Sequence, residues 1–104
     1  MITTAQIFEA VTAVTDVTRE EILSPVKTRR ITWARWLVAW ILRQENPHWS
    51  NVDIALRLAK TEPSSVHYML HQVTYRLAND AHFQSLHRQI LEHLYPLATH
   101  ESPT

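Results

Sequence analysis

The sequence predicts an all-α fold, a compact multi-helix domain, and three observations lead there. Glycine is absent from all 104 residues, which excludes glycine-dependent tight hairpins and Gly-rich phosphate loops. Strand-like alternation of apolar and polar side chains is scarce. Apolar residues recur instead at three- and four-residue spacing, bounded by capping residues and prolines. With 45% hydrophobic residues the chain can bury a modest core, enough for one domain. That domain is expected over residues 1–95, with a polar, frayed tail over 96–104.

The first helix is expected from about Ala5 to Thr15. Thr3 and Gln6 have capping-box spacing, and Ile7, Val11 and Val14 fall on one face beside Phe8. A short second helix starts at Thr18, with Glu21 as its reciprocal cap. Val17 and Ile22 are placed to staple that start, and Ser24-Pro25 ends it. A basic loop, Val26 to Arg30, leads to a strong helix over about Ile31–Gln44, stopped by Asn46-Pro47. Its tryptophans Trp33, Trp36 and Trp40 stand at i, i+3 and i+7 with Leu37, a stripe that is usually core, as is expected for Trp40, while Trp33 and Trp36 are open to either core or surface. Val52, Ile54, Ala55 and Leu58 are expected to form the inner stripe of a fourth helix. Val66, Met69, Leu70, Val73 and Leu77 mark a fifth, with Thr61 as its cap and Pro63 in its first turn. Asn79 is placed to end it in the left-handed conformation. Asp80 is the expected cap of a last helix carrying Phe83, Leu86, Ile90, Leu91 and Leu94 on one side.

Composition narrows the function. Cysteine is absent, which removes disulfides, thiolate metal sites and thiol nucleophiles. No apolar run is long enough to span a bilayer, and the first residues lack the basic and apolar regions of a secretory signal. A cytoplasmic protein without a cofactor or a membrane is therefore expected. Net charge is zero, yet unevenly spread. Five basic residues and no acid fall between Pro25 and Gln44, namely Lys27, Arg29, Arg30, Arg35 and Arg43. Acids predominate on either side. A local basic patch, rather than the total, is what phosphate binding needs.

The stretch Ser50 to Met69, SNVDIALRLAKTEPSSVHYM, reads as a helix, a short polar break, and a second helix opening on small hydroxyl residues. That is the helix-turn-helix layout (about residues 50–77) whose second helix reads the major groove of DNA. Ser64 and Ser65 are then candidates for base or phosphate contact, with His67 and Tyr68 following on the exposed side. Their bland alternatives are local amide capping for the serines and half-buried packing for Tyr68. Arg29, Arg30, Arg35 and Lys60 suit phosphates, against the alternative of a solvated basic face. Among seven histidines, His67 and His71 have i,i+4 ligand spacing, but no HExxH motif or nearby carboxylate completes a metal set. No nucleophile–base–orienter set or paired-carboxylate motif stands out, so catalysis is not expected.

The order of elements resembles the carboxy-terminal DNA-binding domain (domain IV) of the bacterial replication initiator DnaA. That family reads, approximately, S-L-x-E-I-G-x-x-F-G-G-R-D-H-T-T-V after a long helix with a basic start. The corresponding segments here are RRITWARWLVAWILRQE and SNVDIALRLAKTEPSSV. Ser50, Asp53, Ile54, Leu58, Glu62, Ser64, Ser65 and Val66 keep the family's residue or a close substitute. The resemblance spans roughly Thr3 to Leu94 and is most specific over Ile54–Val66. It implies base contacts from Glu62, Pro63, Ser64 and Ser65, and a basic loop carrying Lys27, Arg29 and Arg30 in the minor groove or along the backbone. Lys60 and Thr61 stand where the family has glycine and arginine, and Pro63 replaces its histidine. Proline offers no side-chain hydrogen bond, so the implied target differs from the family's. The resemblance covers the DNA-binding domain only and implies no nucleotide switch. Trp33 and Trp36 replace polar family positions, and an exposed pair there would imply a protein partner or a homodimer. The expected function is thus sequence-selective double-stranded DNA binding in replication initiation or transcription. The alternative is a protein-interaction module on the same fold that has lost DNA binding.

Overall fold

A computed structural model describes residues 1–59 and 62–96, and over them the fold is all-helical. Its elements are α1 (Thr4–Thr15), α2 (Arg19–Leu23), α3 (Arg29–Glu45), α4 (Asn51–Arg57), α5 (Pro63–Asn79) and α6 (Ala81–Leu94). The expected cap Thr61, the neighbouring Lys60 and the tail from residue 97 lie outside the described residues.

Four helices begin on side-chain caps that satisfy amides a helix start would otherwise leave unpaired. Reciprocal capping boxes join Thr3 with Gln6, Thr18 with Glu21, and Ser50 with Asp53, while the Asp80 carboxylate accepts from the Phe83 amide. Val17 and Ile22, flanking the start of α2, are both fully buried. Two starts have no side-chain cap, those of α3 and α5.

Helix α3 is the centre of the molecule, packing on α1, α2, α4 and α5, while α6 closes the far side against α1 and α5. Its residues Ala34, Leu37, Val38, Ala39, Ile41 and Leu42 are buried whichever way they point, as a helix surrounded by others requires. It starts earlier than the sequence suggests, so Arg29 and Arg30 form its first turn and are not loop. Trp33 and Trp36 are buried, at 6% and 8% exposure, which removes the exposed tryptophan pair as a protein or homodimer interface. The physical reason is Arg76 of α5. Its guanidinium lies across both indoles, 5.2 Å and 5.8 Å from the ring centroids, and Phe83 meets Trp33 edge-on. Arg76 is held there by Asp80 at 3.4 Å, and its Nε is buried with no hydrogen-bond partner.

With no glycine to use, the chain takes positive φ at Asp16 (63°) and Ala59 (57°) among the described residues. Asp16 ends α1, where a short polar side chain tolerates that conformation. Asn79 is not left-handed: α5 runs through it, its side-chain Nδ2 donates to the Tyr75 carbonyl, and Asp80 serves as the end of α5 and the start of α6 at once. The Tyr95 hydroxyl donates to Glu45, joining the ends of α6 and α3. That bond pushes the phenol up to about 12.

Two stability predictions follow from these positions. Ala59 carries a Cβ in a region that disfavours it, so Ala59→Gly should stabilise by about 0.5–1 kcal/mol and raise Tm by about 2–6 °C in a thermal melt. Burial on α6 holds His87 below its ordinary value of 6.5. The unfolded chain therefore takes up this proton first. The contribution of the neutral ring is complete above pH 6.5 and is lost as pH falls through the lowered folded value. Urea midpoints of the wild type should fall as pH drops below 6.5, and His87→Gln should flatten that limb. Asp53 and Asp80, held low chiefly by the Ser50 and Phe83 backbone amides, act in a more acidic window, below 3.8.

Candidate functional site

The start of α5 faces a cavity of about 590 Å³ walled by α3, α5 and the segment between α2 and α3. Lys27 comes from that segment, Thr32 and Arg35 from α3, and Ser64, Ser65 and Tyr68 from the first turns of α5. Trp36 and Met69 complete the wall. The hydroxyl residues and part of the basic segment, some 37 residues apart in sequence, therefore share one concave surface.

Local sequence explains why the α5 end is open. Pro63 begins the helix and has no amide hydrogen to satisfy, and Glu62 before it makes no side-chain cap. The Ser65 amide bonds the Glu62 carbonyl at 3.0 Å, while neither serine hydroxyl has a hydrogen-bond partner among the described residues. Ser64 is exposed and Ser65 half-buried, so both can reach a ligand. An uncapped helix start carries partial positive charge and free donors, the usual requirements for holding an anion. Tyr68 is 57% exposed and leans edge-on against Trp36, 6.3 Å between ring centroids. His67 and His71 are exposed. Among the described residues no group of three His, Cys, Asp or Glu could hold a metal ion. Glu62 is exposed at the same helix start, and its carboxylate disfavours anions there.

Arg35 differs from the sequence expectation. Although it stands where a phosphate-binding arginine is implied, it is 4% exposed and its guanidinium serves the fold. Nε donates to the Ile22 carbonyl at 2.7 Å. Nη2 reaches the carbonyls of Ser24 at 2.7 Å, Val26 at 3.0 Å and Glu21 at 3.3 Å. These are carbonyls at the end of α2 and in the turn after it; that of Glu21 also accepts from the Ser24 amide and hydroxyl, while those of Ile22, Ser24 and Val26 lie where a five-residue helix offers no further amides. Burial lowers the arginine's pKa from 12.5, but the group stays charged at neutral pH. Only Nη1 has no hydrogen-bond partner among the described residues, and the side chain forms part of the cavity wall. Arg35 is a positioning residue: it fixes the segment carrying Lys27 beside the start of α5.

The basic cluster is also divided. Arg29 and Arg30 do not line the α5 cavity. They border a separate one between α1, α3 and α6, with Arg30 donating to the Asp16 carbonyl at 3.1 Å and Arg29 lying 5.5 Å from the Trp33 ring. Helical rotation explains this: at about 100° per residue, positions 29, 30 and 33 face one flank of α3 and 32, 35 and 36 another. Thr32 is the wall residue that no motif singles out, since only packing brings it next to Ser64 and Ser65. Arg43, the last of the basic run, turns to the Trp49 carbonyl and the Asn51 side chain. No helix among the described residues is long and apolar enough to cross a membrane.

Comparison with known proteins adds no family: no family model and no curated protein matches the chain.

Arg35→Met should remove four hydrogen bonds and leave partly buried carbonyls unsatisfied, costing about 3 kcal/mol or more in urea unfolding. Arg35→Lys keeps the charge but not the fork of donors and should recover less than half of that loss.

Proposed function

We propose that this chain binds double-stranded DNA sequence-selectively, with α4 and α5 acting as a helix-turn-helix and the start of α5 entering the major groove. The observation that carries the reading is the shared cavity, where an uncapped helix start, two unpartnered serine hydroxyls, Tyr68 and Lys27 converge. Ser64 and Ser65 supply donors and acceptors to base edges or phosphates, and Lys27 supplies a flexible charge to the backbone. His67 extends the exposed face of α5 by one turn. Arg29 and Arg30, exposed at the start of α3, reach the adjacent backbone or minor groove. The resemblance to the DnaA carboxy-terminal domain supports the same docking, with the role that of a small regulator of replication initiation or transcription.

One observation favours a second reading, a protein-interaction module on this fold. Val52 and Leu56, one turn apart on α4, are 49% and 65% exposed, an apolar pair that a DNA reader does not need. Net charge of zero points the same way.

Fluorescence anisotropy against mixed-sequence duplexes separates the two. If about two to four phosphates are neutralised, log Kobs falls against log salt with a slope of about −2 to −4. Lys27→Ala should weaken binding to every duplex and reduce the slope by about 1. Ser65→Ala should instead change which sequences a random-duplex selection recovers. Absence of binding at low salt would discard the DNA reading in favour of the interaction module.

A further inference from the structure

The second cavity, between α1, α3 and α6, has a different chemistry from the first. Its volume is about 370 Å³, at the small end of the range of roughly 300–1,000 Å³ for small-molecule sites. Val14, Trp33 and Leu86 form an apolar floor, while Arg29, Arg30 and His82 stand at its edge. No acid lines it, and among the described residues neither arginine is paired with a carboxylate. The two arginines also occupy the first turn of α3, whose cap makes no side-chain hydrogen bond and whose first turn has no acid. Cations at a helix start oppose the backbone dipole. The fold therefore holds two cations without a carboxylate partner, in an unfavourable place, beside a largely apolar recess.

We infer that this recess binds a small monocarboxylate with an aromatic or compact apolar body. The body would lie against Val14, Trp33 and Leu86, replacing water on an apolar floor. The carboxylate would sit between Arg29 and Arg30, with Arg30 offering the donors it does not give to the Asp16 carbonyl, namely Nε and Nη2. Trp33 is already faced by His82, with ring centroids 5.8 Å apart and planes at 42°, and by Phe83 at 5.1 Å. A ring entering the recess extends that aromatic cluster. The apolar floor and the paired cations suit one ring with a short acidic chain. Occupancy engages Arg29 and Arg30 and so withdraws them from DNA. That consequence rests on the DNA reading above, whereas binding of the acid does not.

The test uses the full chain without DNA, titrated with 3-phenylpropionate and followed by the indole and amide signals of an NMR correlation spectrum. Trp33→Phe assigns the Trp33 indole signal. Saturable shifts at Trp33, His82 and Leu86 are expected, with 3-phenylpropanamide binding at least tenfold more weakly because it lacks the charge. The Arg29→Gln/Arg30→Gln double variant changes exposed residues, should keep the fold, and should lose at least tenfold in affinity for the acid. Leu86→Trp, which fills the recess, should abolish the shifts. Equal binding of acid and amide, unchanged affinity in the double variant, or no saturable shift up to about 10 mM would overturn the site. A separate arm adds the acid to a DNA complex. Release of DNA supports the coupling and an unchanged complex overturns it, with the binding result unaffected in either case.

Discussion

The buried guanidinium of Arg35 is the interaction on which the arrangement depends. Helix α2 is too short to satisfy its own carbonyls, and the segment after it, Ser24 to Thr28, has no regular structure to do so. One planar side chain from the central helix reaches carbonyls at four positions and converts a flexible connection into a defined one. A burial cost for a charged group is tolerated because nearly every donor it aims inward is used. Lys27 inherits its position beside the α5 start from this contact. The residue that resembles a ligand-binding cation thus acts through the scaffold.

Helix ends sort the molecule into structural and available parts. The starts of α1, α2, α4 and α6 are closed by their own side chains. Those of α3 and α5 are not, and each borders one of the two cavities in which basic residues gather. The capping rule that the other four helix starts follow is broken at these two places. The same holds for charge. Arg29 and Arg30 sit at a helix start that disfavours cations, while Arg43, at the other end of α3, sits where the dipole welcomes one.

Trp33 and Trp36 connect packing to the two cavities. Each indole lines one of them, and both are covered by Arg76, itself anchored by Asp80 at the junction of α5 and α6. A guanidinium over an aromatic face keeps its charge partly solvated while shielding the ring. This is how α3 carries large aromatic residues toward the outside of the bundle without an exposed apolar patch.

Helix number, most caps and most of the buried stripes were written in local sequence, because capping and 3.6-residue periodicity act within a few residues. Val52 was misplaced on the inner stripe of α4: it is 49% exposed, because at about 100° per residue it points away from Ile54 and Leu58, which are buried. Thr3–Gln6, Thr18–Glu21 and Asp80 were legible on that basis, and so were the opening of α5 at Pro63 and its two serines. Asn79 was misread because the local preference for a left-handed terminator was overridden when Asp80 took both boundaries. Burial of Arg35, coverage of the tryptophans and separation of Arg29 and Arg30 from Lys27 were decided only by tertiary structure. Each depends on a partner distant in sequence or on which flank of α3 meets which neighbour. A linear chain shows that five cations are close together; only the packed helix determines which way each one points.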